Sequence, residues 1–270
     1  MSLPEYAVYA IRYGHKNDRS RRENFIVPPG PPDTHDGQMP IDYFVWAIVG
    51  EGRTIVVDTG FDHAEAARRG RELTRLPREG LALLGIDSHA VEDVIITHLH
   101  YDHAGTLSDF PQAKFHIQDL EMQYTTGRYM QYEAFRYAYT VDHVTALVRK
   151  LYQDQVVFHD GDEEVWPGIS VHHIGGHTMG IQAVRVHTRR GWLVLASDAS
   201  HFYENMEAHA PFPIVYNVAD MLEGHAKLHR LADSQQLVIP GHDPQVMQRY
   251  PAPNKEMEGI VVQLDADPLQ

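Results

Sequence analysis

The segment that decides the fold of this chain is Thr97-His98-Leu99-His100-Tyr101-Asp102-His103-Ala104-Gly105. It places three imidazoles and one carboxylate within six residues, from His98 to His103. The apolar run 94–96 directly before it is typical of a short buried strand. The polar cluster therefore follows a strand end, which is where α/β proteins place their chemistry.

Three later places in the chain repeat this arrangement of an apolar strand that stops at a turn of small residues with His or Asp. They are Gly176-His177-Thr178, Ser197-Asp198-Ala199 and Pro240-Gly241-His242. With the first segment they supply five imidazoles and two carboxylates: His98, His100, Asp102, His103, His177, Asp198 and His242. Because the chain has no cysteine, a bound metal must use nitrogen and oxygen ligands, which suit zinc, manganese, iron or cobalt.

Seven donors are too many for one tetrahedral ion, but they suit two ions that share one carboxylate and a bridging water. His98 and His100 are two residues apart in an extended segment, so both side chains can point toward one ion. Asp102 and His103 follow the next turn, and we expect them to serve a second ion.

Apolar runs bounded by turns predict strands at residues 5–13, 41–49, 54–57, 91–97, 114–117, 155–158, 169–174, 182–187, 192–196 and 237–239. Helical spacing predicts a helix at 78–86 and another that begins after Asn217 as its N-cap. Two hairpins, 41–57 and 182–196, each end in a turn that contains Asp. This similarity suggests a duplicated sheet architecture.

Two segments fall outside this strand pattern. Residues 28–40 are rich in proline and can form neither a helix nor a central strand, so we expect an excursion over the surface at the rim of the site. Residues 118–151 have helical spacing and many aromatic side chains, which predicts either a helix face packed on the core or an aromatic wall over a substrate pocket. No linker composition interrupts the chain, so residues 1–270 are predicted to form one domain.

Composition narrows the function. The net charge of −14 disfavours nucleic acid as a partner, since such binding depends on Lys and Arg. No apolar run approaches the roughly 20 residues of a spanning helix, which argues against a membrane protein. The first residues show no secretory signal, so we expect a cytoplasmic location. The sequence does not indicate the oligomeric state, with a homodimer among the options.

The histidine and aspartate motifs, together with Asp58-Thr59-Gly60, resemble the metallo-β-lactamase superfamily over roughly residues 41–245. Residues 98–105 and 198–200 are most similar to the N-acyl-homoserine lactonase group. The resemblance implies an α/β fold, a four-layer αβ/βα sandwich of two mixed sheets flanked by helices.

The resemblance also implies a ligand set. His98, His100 and His177 would bind one ion, Asp102, His103 and His242 the other, and Asp198 would bridge them. Asp58 would support the site without binding metal.

One position departs from the lactonases, which often carry a tyrosine three residues after the bridging aspartate. Here that residue is His201, with Tyr203 close by. Either His201 or Tyr203 takes over the hydrogen bond to the substrate, or the substrate needs neither. Asp102, beyond its place as a ligand, is a candidate for moving a proton.

These observations predict a hydrolase with two divalent cations, Zn²⁺ first and Mn²⁺, Fe²⁺ or Co²⁺ as options, that opens a small lactone or ester by attack of a metal-bridging hydroxide. No Gly-x-Ser-x-Gly motif competes as a nucleophile. A glyoxalase II-like thioesterase is the nearest alternative, followed by a phosphotriesterase. A nuclease is disfavoured by the charge. A non-hydrolytic metal-binding or iron-type oxidative protein on this fold is the alternative from another class.

Overall fold

The computed structural model describes residues 3–30 and 36–269. Within them the chain forms thirteen strands: β1 (Ala7–Lys16), β2 (Ile41–Gly50), β3 (Arg53–Val57), β4 (Glu72–Leu73), β5 (Asp93–Ile95), β6 (Lys114–Gln118), β7 (Val156–His159), β8 (Glu163–Trp166), β9 (Ile169–His173), β10 (Gln182–Thr188), β11 (Gly191–Ser197), β12 (Val238–Pro240) and β13 (Val261–Gln263). The α-helices of the same residues are α1 (His63–Arg69), α2 (Pro77–Leu83), α3 (Asp119–Thr125), α4 (Glu133–Arg136), α5 (Val141–Leu151), α6 (Tyr203–Glu207), α7 (Val218–Leu231) and α8 (Gln245–Arg249).

The strands form two mixed sheets. The first has the order β13-β1-β2-β3-β5-β6-β7, with β4 paired to β1, and it is parallel from β3 to β7. The second has the order β12-β11-β10-β9-β8, in which only β11 and β12 are parallel. Helices flank the sheets, and the prediction of an αβ/βα sandwich with two mixed sheets is confirmed.

Alternation along the strands explains how the layers pack. Ile55 and Val57 of β3 belong to the core cluster that also contains Val184 and Leu195 of the second sheet. Val56, between them, points to the other face and packs in a second cluster with helix residues that include Leu81 and Leu147. The first sheet is therefore buried on both faces, which accounts for its continuous apolar strands.

Several predicted elements differ in extent. The strand predicted at 91–97 is the shorter β5, so His98 lies in a long loop after it. The aromatic segment 118–151 is not one helix, because α3 stops at the poor helix formers Thr125, Thr126 and Gly127 before α4 and α5 begin. Short edge elements such as β4, β8 and β13 were not predicted, since two to four residues show no clear period.

Part of the proline-rich segment 28–40 lies outside the described residues, at 31–35. Of its described part, Gln38 forms an isolated bridge with Ser20, which ties this segment to residues 19–24. Among the helices that the structure describes, none has the length and apolar character needed to cross a membrane. One domain over 1–270 stays a prediction.

Candidate active site

Four strand ends bring the seven predicted metal ligands into one buried cluster. The loop after β5 supplies His98, His100, Asp102 and His103, and the ends of β9, β11 and β12 are followed by His177, Asp198 and His242. All seven are buried, and Asp102 is the most exposed at 7%. The four segments that share the strand-end pattern in the sequence are therefore adjacent in the fold.

Three imidazoles form the first half of the cluster. His98 Nε2 lies 3.0 Å from His100 Nδ1, and His177 Nε2 lies 2.9 Å from the same atom. We call His98, His100 and His177 the imidazole group. Asp198 Oδ2 faces this group, 3.3 Å from His177 Nε2.

Asp102, His103 and His242 form the second half, which we call the mixed group. Asp102 Oδ1 lies 3.8 Å from His103 Nε2, and Asp102 Oδ2 lies 3.7 Å from His242 Nε2. Asp198 Oδ1 faces this group, 3.2 Å from His103 Nε2 and 2.9 Å from His242 Nε2. Each carboxylate oxygen of Asp198 is therefore directed at a different group.

The residues fit a pair of cations. The donor atoms of the imidazole group and Asp198 lie within 4.8 Å of one another, and so do those of the mixed group. His103 Nε2 and Asp198 Oδ1 are buried with no hydrogen-bond partner among the described residues, a costly state that a cation would relieve.

The outer nitrogens of the imidazoles are held by fixed partners. His103 Nδ1 lies 2.7 Å from Asp58 Oδ2, and His177 Nδ1 and His242 Nδ1 each lie 2.7 Å from a backbone oxygen, of Ile214 and Asp42. In each case the Nδ1–H donates, which leaves the Nε2 lone pair directed into the cluster. Metal-binding histidines are oriented by partners of this kind.

The two groups differ in electrostatics. Burial lowers the pKa of His98 and His100 well below its ordinary range, so both imidazoles are neutral at neutral pH. Burial opposes protonation of His103 as well, but the carboxylates of Asp198 and Asp58 outweigh it and raise the pKa of His103. The pKa of His242 is raised in the same way, against burial, chiefly by Asp198.

Close backbone approach shapes the last ligand loop. A Cβ atom on Gly241 would lie 2.7 Å from Asp198 Oδ1 and equally close to the carbonyl carbon of Ser197. Only glycine therefore allows β12 to deliver His242 next to Asp198.

Asp58, which the resemblance implied as a supporting residue, lies beside the cluster and forms hydrogen bonds with both of its oxygens. Its Oδ1 accepts a hydrogen bond from Thr97 N at 2.7 Å, and its Oδ2 accepts from Thr97 Oγ1 at 2.8 Å in addition to His103. Thr97 Oγ1 also contacts His98 Nδ1 at 3.1 Å. A single buried carboxylate thus fixes the start of the loop after β5.

A second supporting carboxylate, Glu121 in α3, was not predicted. Its Oε1 accepts from Leu99 N at 2.9 Å and Tyr139 Oη at 3.0 Å, and its Oε2 accepts from Thr178 Oγ1 at 2.6 Å and Gly180 N at 3.3 Å. It joins the loops that carry the imidazole group. In the sequence it is only an acidic residue in the first turn of a helix, which is too common to be a signal.

The structure brings His201 to the cluster and leaves Tyr203 outside it. His201 Nε2 lies 3.0 Å from Asp198 Oδ2, and its ring stacks on Phe212 with centroids 3.6 Å apart. Tyr203 begins α6, where its ring lies under the Arg249 guanidinium at 3.7 Å and belongs to the core between the sheets. The side chain of Tyr203 therefore packs away from the cluster.

The aromatic segment packs partly in the core and partly beside the imidazole group. Tyr124 and Tyr139 are buried in the core, and the Tyr139 ring also lies 4.4 Å from the His100 ring. Tyr129 and Phe135 are only partly buried and pack against Tyr216, whose backbone N–H bonds the carbonyls of Gly176 and His177. An aromatic surface thus lies beside the imidazole group.

Known proteins resemble this chain in sequence. The model of the metallo-beta-lactamase superfamily matches residues 40–250. A protein of Mycobacterium tuberculosis named "Probable metallo-hydrolase" is 27% identical over 231 residues, 72% of each chain. A Bacillus protein named "N-acyl homoserine lactonase" is 27% identical over 189 residues, which are 64% of this chain and 70% of that protein.

A solved structure resembles the fold. It is an N-acyl homoserine lactone hydrolase with the product N-hexanoyl-L-homoserine bound at its catalytic metal centre, 21% identical, with a TM-score of 0.71 over 91% of this chain and 96% of that one. The family model covers most of the chain, and its relatives are metal-dependent hydrolases, so the predicted family and enzyme class are confirmed. The chain belongs to the metallo-beta-lactamase superfamily.

Proposed function

We propose that this hydrolase opens a lactone, an N-acyl-homoserine lactone or a related small lactone, with one divalent cation in each group. The observation that carries the proposal is the position of Asp198, whose two oxygens face the two groups at 3.3 Å and 2.9 Å from the nearest imidazole nitrogens. Zn²⁺ is our first choice, because the ligands are imidazole and carboxylate, and Mn²⁺, Fe²⁺ and Co²⁺ suit them as well.

Two bound cations would lower the pKa of a water from ~15.7 toward ~7 and draw charge from the substrate oxygen. A nucleophile from the protein is not needed. The hydroxyls nearest the cluster are engaged, since Ser197 Oγ bonds Thr97 Oγ1 at 2.9 Å and Ser200 Oγ donates to the carbonyl of Phe202 at 2.9 Å. The chain has no cysteine to offer a thiol.

His201 and Asp102 are the side chains that we assign to the substrate and its protons. Burial lowers the pKa of His201 to about 3, so the imidazole is neutral at neutral pH and carries one ring proton. Its Nε2 lies 3.0 Å from Asp198 Oδ2, and Nε2–H is the donor that we assign to a substrate oxygen held beside Asp198. Asp102 has the most exposed side chain of the seven ligands, at 9%, and is the best placed to pass a proton to solvent.

The aromatic surface of Tyr129, Phe135 and Tyr216 supports a substrate with an apolar acyl part, since it lies beside the imidazole group. Activity on N-acyl-homoserine lactones would make quorum quenching its role. The cytoplasmic location and a homodimer stay predictions.

A hydrolysis panel on the metal-loaded protein tests the proposal. It compares lactones, thioesters and phosphotriesters at matched concentrations, with kcat/KM as the measurement. We expect lactones to be turned over and the other two classes to be poor substrates. A preference for thioesters would replace the proposal with a glyoxalase II-like activity, and inactivity on all three would favour a non-hydrolytic or oxidative protein.

A further inference from the structure

Arg19 extends from the segment between β1 and β2 to the edge of the active site. Its guanidinium carbon lies 4.9 Å from the centre of the Phe212 ring, and Phe212 stacks directly on His201. Its Nε donates to Asn24 Oδ1, and one terminal nitrogen donates to the carbonyl of Glu23. Arg19 is half-buried. The Phe212 ring lies between its guanidinium and His201, the side chain that we assign to the substrate.

Arg71 reaches the same region from the other side. Its Nε donates to Tyr101 Oη at 3.0 Å, and Tyr101 Oη lies 3.1 Å from Tyr43 Oη. The Tyr43 ring in turn packs edge-on against His242, with centroids 5.3 Å apart. Arg71 is half-buried as well, and this chain of contacts connects it to the mixed group.

Neither guanidinium forms an ion pair within residues 3–30 and 36–269. The carboxylates near them are engaged elsewhere: Glu23 accepts from Ser20 N at 2.7 Å, and Asp18 pairs with Lys16 at 2.7 Å. Burial lowers the pKa of Arg19, and the nearby carboxylate of Glu23 offsets this only in part. The two chains of contacts meet in the cluster, because the rings of His201 and His242 stack with centroids 5.1 Å apart.

Two partly buried guanidiniums that have no carboxylate within 4 Å among residues 3–30 and 36–269 are unusual, since buried charges in proteins are normally paired. Such unpaired guanidiniums are still more unusual in a chain whose net charge is −14. We infer that Arg19 and Arg71 form an anion subsite at the mouth of the active site, and that the substrate carries a carboxylate or a phosphate. This inference rests on the proposed function, because it concerns the substrate of the same site, and it selects a related small lactone with an anionic group over a neutral N-acyl-homoserine lactone.

The first test compares three lactones that differ only in one substituent: a carboxylate, a phosphate monoester and a neutral primary amide. We expect kcat/KM for one of the anionic lactones to exceed that of the amide by about 10- to 100-fold, as charged hydrogen bonds to guanidinium imply. The anionic lactone with the higher kcat/KM shows whether the substrate carries a carboxylate or a phosphate. Equal kcat/KM for all three lactones would overturn the inference.

Substitutions connect the preference to the two arginines. Arg19→Gln and Arg71→Gln should each reduce the ratio of anionic to neutral kcat/KM about tenfold, while Arg19→Lys and Arg71→Lys should keep part of it because the charge remains. Arg22→Gln, an exposed arginine of the same segment, is the matched control and should leave the ratio unchanged. A ratio that all these variants leave intact would also overturn the inference.

A binding measurement separates this inference from the proposed function. Butanesulfonate, a weak metal ligand, and the neutral n-butyl methyl sulfone are titrated into the metal-loaded protein by calorimetry. We expect butanesulfonate alone to bind, and Arg19→Gln to weaken it about tenfold. Arg-dependent binding in a protein inactive on every lactone would uphold the subsite and reject the lactonase proposal. Lactone turnover without such binding or preference would reject the subsite alone.

Discussion

The imidazole group and the mixed group contain three side chains each and share Asp198, yet they are supported in different ways. Asp58 contacts a ligand ring of the mixed group directly, 2.7 Å from His103 Nδ1. Glu121 contacts no ligand ring of the imidazole group, and its four hydrogen bonds hold the loops around it. Both carboxylates are fully buried.

The different support of the two groups agrees with the different charges of their side chains. The imidazole group has no carboxylate of its own, and burial keeps the pKa of His98 and His100 low, so its ligands are neutral before any cation binds. The mixed group has Asp102 within it and Asp58 behind it. Two buried carboxylates of similar accessibility can therefore serve different ends: Asp58 orients a ligand, and Glu121 holds the backbone that carries ligands.

The largest effect should follow from Asp198→Asn, which acts on both groups at once. An amide cannot present two anionic oxygens, so we expect fewer than two equivalents of metal and a loss of turnover of roughly three orders of magnitude or more. Metal analysis by mass spectrometry and kcat/KM are the measurements, with circular dichroism to show that the fold is kept. Asp160→Asn, at an exposed position, is the control. Full activity of Asp198→Asn would mean that the two groups do not share this residue.

Asp58→Asn should affect the mixed group and leave the imidazole group intact. Loss of the carboxylate that orients His103 should weaken metal binding in the mixed group by about 10- to 100-fold, while the imidazole group keeps its metal. Competition with a chelator, followed by metal analysis, resolves the two affinities. Equal weakening of both metals would contradict the different support that the structure shows.

Glu121→Gln is the corresponding substitution for the imidazole group. Its amide nitrogen would face a backbone N–H of Leu99 or Gly180, so one buried donor loses its acceptor, at a cost of about 1–3 kcal/mol in the free energy of unfolding. We expect the melting temperature to fall by several degrees while the metal content stays at the wild-type value. Glu92→Gln, an exposed glutamate, should change neither. Loss of metal at an unchanged melting temperature would assign Glu121 a direct role at the ligands.

The contrast between these two carboxylates also shows what the sequence could reveal. The supporting role of Asp58 was predicted from the family resemblance, which this residue joins because it follows a strand in a turn of small residues, as the seven ligands do. Glu121 lies inside a short helix, and its four partners come from residues 99, 139, 178 and 180. Local patterns indicate which residues follow strands, but contacts between distant loops depend on tertiary packing that no single segment contains.

The same limit applies to the mouth of the site. The strand ends that carry His98 and His242 could be placed from apolar runs alone. No local pattern marks Arg19 as part of a site, and nothing in the sequence near Arg19 or Phe212 shows that they stack beside His201. The reaction centre is thus encoded locally, and the surface that meets the substrate depends on long-range packing.

The smallest effect should come from His201→Phe. This substitution tests whether the substrate is held on the side of Asp198 where His201 lies. His201 Nε2 contacts Oδ2, the oxygen directed at the imidazole group. Phenylalanine keeps the stack on Phe212 and removes only the donor, so we expect kcat/KM to fall about tenfold, the value of one hydrogen bond, with metal content unchanged. Tyr203→Phe is the control, because that side chain packs in the core, and its activity should equal wild type. Unchanged activity in His201→Phe together with a large loss in Tyr203→Phe would move the donor role to Tyr203, which would require α6 to rearrange when substrate binds.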